Sequence, residues 1–134
     1  MREDKYMLRL DSDPGNVAQI ETFVERIVEK FKLCPDAYGN LLITLTEAVN
    51  NAIIHGNQAD RSKSVQVHLR KKSDRLLIRV SDEGRGFDFD NLPDPTRPEN
   101  RCKLGGRGVF LMQQLSDELR FRNNGSTVEI QFKL

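Results

Sequence analysis

The sequence predicts an α+β fold, a two-layer sandwich whose mostly antiparallel sheet is covered on one face by helices. Three observations carry this. In the last strand Val128, Ile130, Phe132 and Leu134 alternate with Thr127, Glu129, Gln131 and Lys133, so one face is apolar and the other wet. Val65–Leu69 and Leu76–Val80 alternate in the same way across a very short Ser73-Asp74 connection, which forces an antiparallel hairpin. Between residues 36 and 55 apolar residues cover more than a narrow stripe, as in a helix buried on most of its surface. An alternating βαβ pattern does not fit.

Tyr6 to Leu10 reads as a short first strand. Asp13-Pro14 opens a helix, because proline suits the first helical position. Val17, Ile20, Phe23, Val24, Ile27 and Phe31 form its apolar face, and Glu21, Glu25, Arg26, Glu29 and Lys30 the opposite one. Pro35 interrupts. The second helix runs from about Asp36 to His55, with Leu41, Leu42, Leu45, Ala48, Val49, Ala52 and Ile53 toward the core. Gly56 stops it, as a left-handed residue would. The two paired strands follow. Residues 83 to 108 are rich in Gly, Pro, Asp and Arg, and such length inside a compact domain points to a lid or binding loop. A third helix, about Gly108 to Asp117, precedes a last hairpin of Glu118–Arg122 and Thr127–Leu134, turning at Asn123-Asn124-Gly125.

Composition narrows the function. The 134 residues make about one domain, 1–134. Lys plus Arg number 21 and Asp plus Glu 20, so there is no long-range field for nucleic acid or an anionic membrane. No apolar run approaches the roughly 18 residues that would cross a bilayer. Cys34 and Cys102 have no metal-ligand spacing and read as free thiols of a cytoplasmic protein.

Three polar features do not belong in a core. Glu47, Asn51 and His55 recur every four residues on the second helix, with Thr44 and Asn40 continuing the line. Unpaired and buried, such groups cost about 1–3 kcal/mol each, so they face either solvent or a ligand. His55 taken singly reads as a neighbour of the helix C-terminus, where a cation suits the dipole. Asp82 is in phase with Leu76, Ile78 and Val80, so its carboxylate points toward the helices. Gly84 and Gly86 after it allow close approach of a ligand, unless the aspartate merely binds its own backbone. Finally, Gly105-Gly106-Arg107-Gly108 running into a helix exposes N–H groups suited to phosphate, or forms a hinge. Neither glycine cluster completes a dinucleotide fingerprint, and no Gly-Lys-Ser/Thr loop occurs.

In this order the features closely resemble the GHKL ATP-binding fold, the Bergerat fold of DNA gyrase, heat-shock ATPase chaperones, histidine kinases and mismatch-repair ATPases. Glu47 and Asn51 match its first motif, Asp82 to Gly86 its second, Gly106 to Gly108 its third, and Gly125-Ser126-Thr127 its last. Tyr6 to Leu134 is covered. Neither a transducer domain nor a phosphoacceptor-helix domain is expected beside it. The strings 45–56 (LTEAVNNAIIHG), 93–100 (PDPTRPEN) and 105–112 (GGRGVFLM) are especially similar to the anti-sigma factor serine/threonine kinases of bacteria.

The resemblance implies ATP and Mg2+ as cofactors, a sigma factor and a STAS-domain antagonist as partners, and a homodimer, which the first strand could serve as an edge. It implies that Asp82 accepts a hydrogen bond from the adenine amino group and that Gly84 and Gly86 line the base. Asn51 offers its oxygen to Mg2+, and Gly106, Arg107 and Gly108 cradle phosphates. Glu47 takes the proton from the attacking hydroxyl, and Thr127 lines the pocket. The loop at about 88–104 is expected to be the lid. Arg97, Arg101 and Lys103 either meet the terminal phosphate there or are solvated charges. An ATP-gated binding module without phosphoryl transfer is the alternative function.

Overall fold

The computed structural model describes residues 4–84 and 106–134. Strand β1 (Asp4–Asp11) leads through a 3-10 turn (Pro14–Val17) into α1 (Ala18–Phe31) and then α2 (Pro35–Asn51). A π-helical turn (Ala52–Gly56) extends α2. Strands β2 (Ser64–Lys72) and β3 (Arg75–Ser81) follow, then α3 (Gly106–Leu115), β4 (Glu118–Arg122) and β5 (Thr127–Lys133). The strands form one five-stranded antiparallel sheet in the order β1-β2-β3-β5-β4. This is the expected α+β sandwich.

The register puts most apolar residues of the strands on one side, with Met7 and Leu77 on the other. Leu8 pairs with Val67, Val67 with Val80, Val80 with Val128, and Val128 with Phe121. Ile20, Phe23, Val24 and Ile27 of α1 and Leu41, Leu45, Ala48 and Val49 of α2 are buried against them. Each large apolar side chain so buried contributes about 1.5–3 kcal/mol relative to exposure. At the far end Tyr6 meets Phe31 edge to face, with ring centroids 5.7 Å apart, and Lys71 Nζ lies 5.6 Å from the same Phe31 ring.

Local chemistry sets the boundaries. Asp13 Oδ1 accepts from Gly15 N–H at 3.0 Å and caps the Pro14 turn. Lys32, at φ 52°, ends α1 in the left-handed conformation, and Pro35 starts α2 at once.

Three boundaries differ from the sequence reading. The second helix is α-helical only to Asn51, and its last turn is wider, with Asn57 N–H bonded to the Ala52 carbonyl at 2.8 Å. Gly56 is not left-handed; Gln58 (φ 53°) and Ala59 (φ 55°) make the reversal instead. The third helix begins at Gly106, so Gly106-Arg107-Gly108 is its first turn rather than its approach, and it ends at Leu115.

Candidate active site

The site is built where β3 leaves the sheet. Asp82 keeps the inward phase of Leu76, Ile78 and Val80 and is half-buried. Its backbone N–H bonds to the Ser126 carbonyl at 2.9 Å, at the entry to β5. Its carboxyl meets the end of the π-turn: a Cβ on Gly56 would overlap both carboxyl oxygens of Asp82, and one on Gly84 would overlap the Gly56 carbonyl. Both glycines are thus required by close approach. Gly84→Ala has backbone, not a movable side chain, in its way, and is expected to destabilise by about 1–3 kcal/mol. A thermal melt checks this; an unchanged midpoint would contradict the contact.

Asp82 Oδ1 accepts the Gly84 N–H at 2.8 Å, so the local turn that the sequence allowed is present. Among the described residues no hydrogen bond holds Oδ2, which remains available to a ligand. Burial pushes the Asp82 carboxyl above the usual carboxylate range, against the opposing pull of the Gly84 N–H and the Lys63 charge.

One organising residue escaped the sequence reading. Asn57 is 1% exposed and fully bonded. Its Oδ1 accepts the Glu83 N–H at 2.7 Å, and its Nδ2 donates to Ser12 Oγ (2.7 Å) and the Ser64 carbonyl (3.0 Å). Glu83 Oε2 in turn accepts the Ser64 N–H at 2.5 Å. One amide therefore joins the helix end, the β1 exit, the start of β2 and the Asp82-Glu83-Gly84 turn. Nothing in a one-dimensional pattern distinguishes an asparagine that closes a turn from one that ties four segments.

On α2, Glu47 and Asn51 are half-buried, and neither is held by a hydrogen bond or ion pair among the described residues. Thr44, fully buried one turn earlier, has its Oγ1 without a partner, while Asn40 is exposed. His55 lies in the wider turn, so four residues no longer place it directly above Asn51. Chemically, Glu47 and Asn51 offer a carboxylate and an amide one turn apart on the helix whose end touches Asp82. The helix α3 packs on α2. Its first turn, Gly106-Arg107-Gly108, contains N–H groups with no intrahelical acceptor, and Val109 and Met112 anchor it in the core.

Thr127 is buried at the start of β5. Its hydroxyl lies 3.2 Å from Ser81 Oγ and accepts from Asn123 Nδ2 at 3.3 Å. In register it pairs with Ser81, on the side of the sheet opposite Val80 and Val128. It therefore braces the residue before Asp82, and the direct link from β5 to Asp82 is the Ser126 carbonyl. Gly86, Cys102, the 88–104 loop with Arg97, Arg101 and Lys103, and the side chain of Arg107 lie outside the described residues. Cys34 is free and exposed. No group of three or more His, Cys, Asp or Glu side chains among the described residues is placed to hold a metal, and no described helix is long and apolar enough to cross a membrane.

An inward acid at a strand end, a polar pair on the adjoining helix and a glycine-initiated third helix over an antiparallel sheet define a nucleotide-binding domain of the histidine kinase-like class. Residues 10–132 match the histidine kinase-like ATPase domain, and the chain belongs to that family. It is similar to serine-protein kinases named RsbW. Against that of Bacillus subtilis (strain 168) it is 30% identical over 132 residues, covering 93% of this chain and 82% of the relative. The Bacillus licheniformis kinase is 31% identical over 134 residues (95% and 84%). The Listeria monocytogenes serovar 1/2a (strain EGD-e) kinase is 26% identical over 123 residues (87% and 78%).

Proposed function

We propose that this protein is an ATP-dependent serine/threonine kinase and anti-sigma factor of the cytoplasm, which binds a sigma factor and phosphorylates a STAS-domain antagonist. The observation that carries the ATP site is the contact between the Asp82 carboxyl and Gly56, five residues beyond Asn51. In this reading residues 1–134 form one domain with a lid at about 88–104, and β1, an edge strand, is the place for a second copy to pair.

Asp82 Oδ2 accepts a hydrogen bond from the adenine amino group. A base with a carbonyl there meets a half-buried anion and is disfavoured. Gly84 and Gly86 leave room for the base, and Thr127 holds the strand end through Ser81. The free N–H groups of Gly106, Arg107 and Gly108 receive phosphate oxygens. The residues fit Mg2+ as a phosphate-borne ion: Asn51 has an uncommitted amide oxygen, and such sites take only one or two protein ligands beside phosphates. Bound there, Mg2+ would neutralise phosphate charge. Glu47 accepts the proton of the substrate hydroxyl as its oxygen bonds to the γ-phosphorus; the bond to the β-phosphate oxygen breaks and ADP leaves.

Incubation with radiolabelled ATP and a co-encoded STAS protein tests the reading. Label on a serine or threonine of that protein supports it, whereas tight ATP binding with no label favours the binding module. Asn51→Ala is expected to remove the Mg2+ dependence of ATP binding; a magnesium titration matching wild type would exclude the metal role.

Asp82→Asn is expected to weaken ATP binding about 10–100-fold, the worth of a hydrogen bond to a charged group. Its effect on stability has the opposite sign. Because burial raises the folded pKa of Asp82 above the unfolded value, the residue's contribution to stability is lost as pH rises between the two. At neutral pH the nucleotide-free Asn variant should therefore melt no lower than wild type, any advantage shrinking toward acid pH. Calorimetry and melts across pH measure both; unchanged affinity would remove the adenine assignment.

A further inference from the structure

Among the described residues one buried polar side-chain atom has no hydrogen-bond partner, the hydroxyl oxygen of Thr44. Thr44 is fully buried in α2, and a hydroxyl hidden there unpaired lowers stability. A threonine inside a helix usually turns its hydroxyl back to a carbonyl three or four residues earlier. Here neither Leu41 nor Asn40 receives it, so the hydroxyl is an uncommitted donor. Its position says which group can use it. Thr44 comes three residues before Glu47, and side chains so spaced stand about 5–6 Å apart at their Cβ atoms. A long helical side chain leans toward the helix N-terminus, over the positions three and four before its own. For Glu47 these are Thr44 and Ile43. Ile43 is 44% exposed, Thr44 is 0% exposed and Glu47 is half-buried, so the carboxylate belongs at the margin between water and the hidden hydroxyl. No hydrogen bond or ion pair holds Glu47 among the described residues. Other groups on this face are worse placed: Asn40 leans away from Thr44, Ala48 has no side-chain acceptor, and Asn51 is two turns on.

We propose that Thr44 is a positioning residue, its hydroxyl donating a hydrogen bond to the Glu47 carboxylate and fixing its orientation once nucleotide covers the site. This role, which rests on the kinase reading for its use in transfer, meets a chemical need: a general base works best when a third group orients it. In the open site water hydrates Glu47. When bound nucleotide and substrate displace that water, a half-buried carboxylate needs a donor from the protein, and Thr44 supplies one. Thr44 keeps its proton throughout. One Glu47 oxygen accepts the Thr44 hydrogen bond, and the other faces the substrate hydroxyl and takes that proton.

The test uses the full chain. Thr44→Val keeps the shape and removes the donor. It is expected to melt no lower than wild type, because an unpaired hydroxyl is gone, yet to slow single-turnover transfer to the STAS-domain antagonist about tenfold with ATP affinity unchanged. Thr44→Ser keeps the hydroxyl and loses a methyl, so it should melt lower and transfer at nearly the wild-type rate. A role in packing alone predicts the reverse order of rates. A wild-type rate in the valine variant, equal losses in both variants, or ATP affinity falling in step with the rate would each overturn the proposal. A crystal structure with a non-hydrolysable ATP analogue and Mg2+ decides the bond itself even if wild type labels no antagonist, a result that sinks the kinase reading alone. Thr44 Oγ1 within hydrogen-bond distance of a Glu47 carboxylate oxygen supports the proposal; Oγ1 on the Asn40 carbonyl, or still without a partner, overturns it.

Discussion

Glu47→Ala is expected to slow phosphoryl transfer about 10²–10⁴-fold while leaving ATP affinity nearly unchanged, the range for loss of a positioned general base. The split follows from position. Glu47 is on α2 one turn before Asn51, whereas the base-recognising carboxylate, Asp82, comes from β3. No described hydrogen bond or ion pair ties Glu47 into the fold, so its removal should not disturb the nucleotide-free protein. Single-turnover transfer to the antagonist, beside calorimetric ATP binding and a melt, separates the two effects. A variant that keeps full transfer removes Glu47 as the base; one that loses ATP binding in step with transfer assigns it to nucleotide binding instead.

Asn57→Ala is expected to cost about 3–4 kcal/mol, lowering the melting midpoint by roughly 10–15 °C. The alanine leaves the Glu83 N–H and the Ser64 carbonyl without their amide partner in a buried place. Ser12 Oγ loses its donor, though it still donates to the Lys63 carbonyl at 2.9 Å. Asn57→Asp is a sharper probe. It keeps the shape and the acceptor for Glu83, yet turns a second acceptor on Ser64, so it should also destabilise markedly. If both variants melt like wild type, the network is an incidental contact. Because the same amide sets the Asp82-Glu83-Gly84 turn, the surviving folded fraction should bind ATP more weakly, which a stability change elsewhere in the core would not cause.

The fold was legible because burial imposes a period. The α1 face of Ile20, Phe23, Val24 and Ile27 and the inward rows of β2, β3 and β5 are the residues that alternation and helical spacing select. The same arithmetic turned Asp82 inward: an acid in phase with Leu76, Ile78 and Val80 has no other side to face. The end of the second helix was not legible, since an α-turn and a π-turn differ by one residue in a stretch apolar on most sides. Gly56 shows the limit. A glycine after a helix reads as a left-handed cap, yet here it is small because a carboxyl from another element lies against it. Thr127 shows it again, its hydroxyl with Ser81 while Ser126 reaches Asp82.

Strand alternation, helix faces and the order of the three polar motifs are local quantities, and the sequence alone determined them, together with the class of fold they build. Which groups touch across segments far apart in the chain was decided only in three dimensions: Gly56 on Asp82, Asn57 on Ser12 and Glu83, Ser126 on the strand end. Such contacts depend on where separate elements come to rest, and that is set by the packing of the whole core rather than by any local pattern.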